Sequence, residues 1–411
     1  MNKKLLAIVV TAIVIIAGGV WWYVTDILPE KKVQTEQSPV TTQKAPTEET
    51  CSPRGTGTCD GNGRPITSAA PSPDGATTSN LKSLTAEQIG SRTVALTGKG
   101  SQGLDFDSET GIIYVGNQGS ATCANKDPKL SVSEGGDSLS VIDPVAGKET
   151  AHVASGVSPI WPLVDEKRGV VYVAGSGGSL IIHERGTGTK KKSIDIGRSP
   201  HAVGLSTDGI IVVSNTNDGS QKYYAALNAD TQKLITHHKV IDYPHSIVYH
   251  QANNLFYMIG VEDGKVAEID GKTGETKSVF SANAVDGNSA MIALAEQANK
   301  LFVGISEPKG GMNVIDLSSK KIVATVASDG NIPATSVAVD ESRGLVFLLI
   351  PDKDLVQVID MNTYKSLATL PVGDCPFGVR VDPTRGLGAV TNQIDHSLTI
   401  FDLNKLTQAV K

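Results

Sequence analysis

From Ser91 onward, short apolar runs alternate with polar turns, and the alternation recurs along the chain. Val164-Asp-Glu-Lys-Arg-Gly-Val-Val-Tyr-Val173, Val339-Asp-Glu-Ser-Arg-Gly-Leu-Val-Phe-Leu348 and Val381-Asp-Pro-Thr-Arg-Gly-Leu-Gly-Ala-Val390 share one plan: a strand end, a turn carrying Arg-Gly, and a second apolar strand. Weaker copies span Phe106–Val115, Ser206–Val213, Gln251–Tyr257 and Gln297–Phe302. Runs this short, rich in β-branched residues and bounded by turn residues, predict strands. A third strand follows, plainest at Ser140-Val-Ile-Asp143, Asn313-Val-Ile-Asp316 and Gln357-Val-Ile-Asp360, and a fourth at Lys321–Val326 and Lys365–Leu370. The turn residue recurs at positions 107, 165, 206, 250, 296, 340 and 382, at intervals of 58, 41, 44, 46, 44 and 42.

A four-stranded unit repeating every 40 to 50 residues is the pattern of a propeller blade. The prediction is therefore all-β: a seven-bladed β-propeller over residues 91–411. The last unit supplies three strands, and Thr93–Thr97 precedes the first marker without partners of its own. This N-terminal strand is expected to complete the last blade and close the ring, which removes free sheet edges. The long first interval leaves an insertion near Ser120–Asp137, read as a loop.

The N-terminal part follows other rules. Leu5 to Val24 carries no charge, and twenty residues at about 1.5 Å each can cross a hydrocarbon core of roughly 30 Å. Lys3 and Lys4 precede this run and Trp21-Trp22-Tyr23 end it, as the positive-inside rule and interfacial aromatics require. Residues 1–28 are expected to form an uncleaved signal-anchor, a transmembrane helix. The alternative is a cleaved signal peptide and a secreted product, but three bulky aromatics follow Ala17-Gly18-Gly19 where small residues would be cut. Either way the head lies outside the cytoplasm, in the periplasm or at the cell surface. Residues 29–90, rich in Pro, Thr and Ser, bury too little to offset their ordering entropy and are expected to form a disordered stalk.

Composition narrows the chemistry. A net charge of −6 over 411 residues lacks the electrostatic footprint of a nucleic-acid binder, so a DNA-binding propeller is the third and weakest reading. The four cysteines include no Cys-x-x-Cys pair. Outside the cytoplasm they are expected to form two bridges, Cys51–Cys59 in the stalk and Cys123–Cys375 over one face of the propeller. Asp60-Gly-Asn62-Gly-Arg64 begins like a calcium loop, but Pro71 stands where the closing Glu belongs.

Tyr114-Val-Gly-Asn117, Ala389-Val-Thr-Asn392, the Val-Ile-Asp third strands and Val372-Gly-Asp-Cys-Pro376 resemble the YVTN-repeat β-propellers of bacterial and archaeal envelopes. The resemblance covers roughly Ser91 to Lys411. It implies the architecture and an envelope setting; the repeat is structural and specifies no activity.

In such a ring the loops from each outer strand to the next innermost strand gather around the axial channel. Ser158-Pro-Ile160, Ser199-Pro-His201, Tyr243-Pro-His245 and Cys375-Pro-Phe377 all place Pro six residues before a marker. The positions after Pro are thus equivalent and should ring the channel mouth. They nominate Gln102, His201, His245, Met291 and Phe377 as ligand-binding, together with Trp161, which follows Ile160 directly, and with Thr335 near by. His201 and His245 on adjacent blades could bind a metal, a haem iron or an anion, or could simply cap loop carbonyls. No nucleophile elbow, zinc-protease helix, Walker loop or haem-attachment motif occurs, and no motif requires a cofactor. The leading expectation is a non-catalytic envelope binding module, anchored in the membrane and presenting its loop face to a protein, glycan or small ligand. The rival is an extracytoplasmic enzyme or redox subunit with a metal or haem-like cofactor at the channel mouth.

Overall fold

The computed structural model describes residues 81–122, 131–133, 136–216, 223–282, 289–306, 310–329 and 336–411. The expected anchor, most of the expected stalk and both Cys51 and Cys59 lie outside these residues. Among the described residues no helix is long and apolar enough to cross a membrane.

Seven four-stranded antiparallel blades follow one another. Blade 1 comprises Ser101–Phe106, Ile113–Asn117, Ser138–Asp143 and Lys148–Ala154; blade 2 comprises Pro159–Asp165, Val170–Gly175, Ser179–Glu184 and Lys190–Asp195. Blades 3, 4 and 5 open with Pro200–Leu205, Pro244–His250 and Ser289–Ala295, and blade 6 with Val337–Asp340. Blade 7 has Pro376–Asp382, Leu387–Asn392 and Ser397–Asp402, and Arg92–Ala95 pairs with its third strand, Val94 opposite Leu398, to supply the missing fourth. The opening strand of every blade contacts those of both neighbours, so the ring is closed.

The repeat motifs each have a physical job. Asp143, Asp270 and Asp360 end third strands, and each carboxylate accepts the N–H groups two and three residues on, which fixes the turn into the fourth strand. Asn117 and Asn392 end second strands fully buried, and their amides donate to hydroxyls of the third strand, Ser138 and Ser140 in one blade, Ser397 and Thr399 in the other. Tyr114 and Tyr224 are fully buried. The Tyr114 hydroxyl accepts from Gly186 N at 2.6 Å and the Tyr224 hydroxyl donates to Gly274 O at 2.9 Å, each reaching the following blade. Second strands such as Val170–Gly175 are buried throughout, whereas the outer strand Lys148–Ala154 alternates exposed and half-buried positions. The apolar core therefore lies between blades, flanking the axis.

Three features differ from expectation. The folded head begins before Ser91: Lys82–Ser83 adds a parallel fifth strand to blade 6, and Leu84 and Ile89 are buried. These two leucine-type anchors pack with Leu403 and Leu406 of a C-terminal helix, Leu403–Val410, whose N-cap Asp402 accepts from the N–H groups of Asn404 and Lys405. The insertion in blade 1 is not loop throughout, because Ser120–Thr122 pairs with Ser131–Ser133.

Candidate functional site: a channel sealed at one end

The opening strands share an unusual entry. Ser158, Ser199, Tyr243 and Cys375 have φ between 49° and 54°, a left-handed conformation, and each precedes a proline. The ladder then slips, between Pro200 and Val203, Pro244 and Ile247, and Pro376 and Val379. A bulge of this kind re-aims the side chains that follow it.

Those side chains close the channel. Ile160, Trp161, Met291 and Ile247, from blades 2, 5 and 4, belong to one buried cluster with Phe377 of blade 7 packed against it. Trp161 is 3% exposed and Met291 2%. The indole reaches over blade 1 to blade 7 because two glycines make room for it: a Cβ on Gly103 would meet the Trp161 ring at 2.2 Å, and one on Gly378 at 3.2 Å. Phe377 lies 6.4 Å from the Trp161 ring, tilted by 36°. The buried Gln102 amide donates to Gln118, and Thr391 Oγ1 donates to Gln102 O. Trp161, Met291 and Phe377 thus pack together at this end of the channel and do not stand apart around an open rim. Thr335 lies outside the described residues.

His201 and His245 do meet. Their rings stack with centroids 3.7 Å apart and 29° between planes. Lone pairs lie in the ring plane, so stacked imidazoles direct them side by side and not toward one point between the rings. Burial drives the His201 imidazole well below its ordinary range, and the neighbouring His245 adds to the effect, so the ring is neutral near pH 7. Among the described residues no group of three His, Cys, Asp or Glu side chains is arranged to hold a metal ion. A second histidine pairing is equally structural: His183 Nε2 lies 2.8 Å from Ser155 Oγ, but its Nδ1 faces Gly188 O, and burial lowers its pKa to about 4. Cys375 is buried and is not a free thiol; Cys123, its expected partner, lies outside the described residues.

Beyond the Trp161 plug the channel widens into a cavity of about 560 Å³. It opens on the opposite face, where the Arg-Gly turns lie. At the rim Glu296 accepts from Ala252 N at 2.7 Å, and Glu341 accepts from Gln297 N and Ala298 N at 3.1 and 2.6 Å, so the rim carboxylates tie each blade to the one before. Midway down, two residues before each marker, the seven opening strands present equivalent positions. Five are Leu163, Gly204, Val248, Leu294 and Ala338. The other two are charged, of opposite sign, and on adjacent blades: Arg380 of blade 7 and Asp105 of blade 1.

Neither charge is fully neutralised. The Arg380 guanidinium lies 4.8 Å from the Trp161 ring, over its face, and donates to Val379 O at 3.2 Å; among the described residues it forms no ion pair. Burial pulls it down from the usual arginine range, and the Asp105 charge offsets part of that; an arginine stays protonated regardless. Asp105 accepts from Val164 N at 2.8 Å. Burial raises its carboxyl to about 6, against the N–H bond from Val164 and the charge of Arg380. Sequence reasoning passed over both residues. The available signal was register: within the repeat, one position is apolar or glycine in five blades and charged in two.

No protein-family model and no curated protein matches the chain. Among solved structures, Kuenenia stuttgartiensis hydrazine synthase is similar over 75% of this chain and 97% of the matched chain, with a TM-score of 0.64 and 14% sequence identity. At that identity the likeness concerns the propeller fold alone.

Proposed function

We propose that this chain is an envelope propeller of the YVTN-repeat kind, tethered to the membrane by residues 1–28, whose head lies outside the cytoplasm and binds a small ligand in the axial cavity. The observation that carries the binding role is the one-ended channel: a concave, mostly apolar space of about 560 Å³ with two charged groups, Arg380 and Asp105, midway along it. That is the usual make-up of a small-molecule site. The uncharged run Leu5–Val24, with Lys3 and Lys4 before it, supports the tether. A Cys123–Cys375 bridge would suit an oxidising compartment, and Cys375 not being a free thiol agrees with it.

The test has two arms on the full-length protein. A tag after Lys411 should be removed by protease added to cells with a permeabilised outer layer, and the protein should leave the membrane fraction when residues 1–28 are deleted. In a thermal-shift survey of small organic compounds, any compound that stabilises the protein should lose its effect in Leu294→Trp, whose indole fills the cavity. A protected tag would contradict the external head. Stabilisation undiminished by Leu294→Trp would contradict the cavity as the site.

A further inference from the structure

We infer that the ligand of the axial cavity is a monocarboxylate with an apolar body, held by the Arg380 guanidinium on the Trp161 face; this rests on the reading of the cavity as a binding site. The argument starts from the cost of leaving a cation where it is. Arg380 is half-buried, midway down the channel, and among the described residues no carboxylate lies within ion-pair distance of it. An unpaired charge away from bulk water is costly unless something completes its hydrogen bonds. The guanidinium carbon lies 4.8 Å over the Trp161 ring and one N–H donates to Val379 O, so further N–H donors are left for a planar acceptor, which a carboxylate matches.

The surroundings restrict the class further. Asp105 faces the same level, and Glu296 and Glu341 guard the mouth. Together they disfavour a dianion such as a phosphate monoester, which would meet one cation and three carboxyl groups. A single negative charge is matched by Arg380. Leu163, Val248, Leu294 and Ala338, at the level of that charge, would contact the rest of the ligand; these groups reward an aliphatic or aromatic body and offer nothing to a sugar. An ammonium ligand would find Asp105 but would also face Arg380 at the same level.

The experiment is calorimetric titration of the purified full-length protein with hexanoate and phenylacetate, and with hexanamide and hexylamine as the neutral and cationic counterparts. The acids should bind once per chain. Arg380→Gln should weaken them at least tenfold, with Arg380→Lys in between, since a lysine keeps the charge and loses the fork. Both variants should melt cooperatively near the wild-type temperature. Acids and amide binding equally, or acid binding unchanged in Arg380→Gln, would overturn the inference. If the amide or amine binds and Leu294→Trp abolishes this while Arg380→Gln does not, the cavity is a binding site and the carboxylate assignment alone is wrong. If none of the four probes binds, or Leu294→Trp leaves every titration unchanged, both readings are contradicted.

Discussion

The two ends of the axial channel are made from the same seven strands and behave as opposites. At the end where the chain enters each blade, bulged residues pack an indole, a stacked histidine pair, Met291 and Phe377 into a seal. At the other end the same strands diverge around a cavity whose charged residues at mid-depth, among the described residues, are Arg380 and Asp105. The difference comes from side-chain volume at two levels of one repeat. Glycine at positions 103 and 378 lets Trp161 lie over blade 1 and reach blade 7, and small or aliphatic residues further along leave space. Substitutions at the sealed end should therefore cost stability, and those at the open end should alter pH response and binding.

The largest effect is expected from Trp161→Ala. It removes a nearly fully buried indole that contacts several blades, and should cost about 3–5 kcal/mol in chemical denaturation. A loss below about 1 kcal/mol would mean the plug does not support the ring. Next, Gly103→Ala adds a methyl where the Trp161 ring stands 2.2 Å away, so overpacking should cost about 1–3 kcal/mol. Combining it with Trp161→Phe, which clears part of that space, should recover a share of the loss, whereas additive losses would contradict the contact.

These two changes show where the sequence was readable. Blade number, closure by Thr93–Thr97 and the equivalence of the residues after each proline follow from local patterns, because an Asp that caps its own turn or an Arg-Gly turn needs only its neighbours. That His201 and His245 meet was legible for the same reason, being one register position on adjacent blades. Which end of the channel is sealed was not, since it depends on Trp161 of blade 2 lying over Gly103 of blade 1 and reaching Gly378 of blade 7, contacts across the ring that no single repeat encodes. The burial of Leu84 and Ile89 against Leu403 and Leu406 joins the two chain ends and is non-local in the same way.

The ends should also part on pH, with effects of intermediate size. At the open end, the Asp105 carboxyl titrates at about 6 in the folded chain against 3.8 when exposed. Between these values the unfolded chain has released a proton that the folded chain retains, so this group lowers stability as pH rises from about 4 to about 6. Asp105→Asn removes that loss and can still accept from Val164 N. Relative to wild type it should gain, after screening by channel water, on the order of 1–2 kcal/mol at pH 7 and little at pH 4. At the sealed end the sign reverses. Below pH 6.5 the unfolded chain takes up a proton that buried His201 resists, so stability falls as pH drops toward the depressed folded value. His201→Gln should flatten this acid slope and leave pH 8 behaviour nearly unchanged. Both variants gaining on wild type in the same direction of pH would contradict the assignment. The smallest effect is expected at the rim, where Glu341→Ala frees two N–H groups that water can reach, at about 1 kcal/mol in the same denaturation assay.

The central claim is that one strand carries a sealed residue and, three residues later, an open one. Met291→Cys and Leu294→Cys, treated separately with a small neutral thiol reagent in the native protein, test it most directly, with the unsubstituted protein labelled in parallel to set the background; Cys375, the one cysteine among the described residues, is not a free thiol. Leu294→Cys lines the cavity and should label within a few-fold of an unfolded control, whereas Met291→Cys, at a site 2% exposed, should be protected by at least a hundredfold until the protein unfolds. Equal labelling of the two, or a protected cysteine at 294, would contradict a channel closed at one end and open at the other.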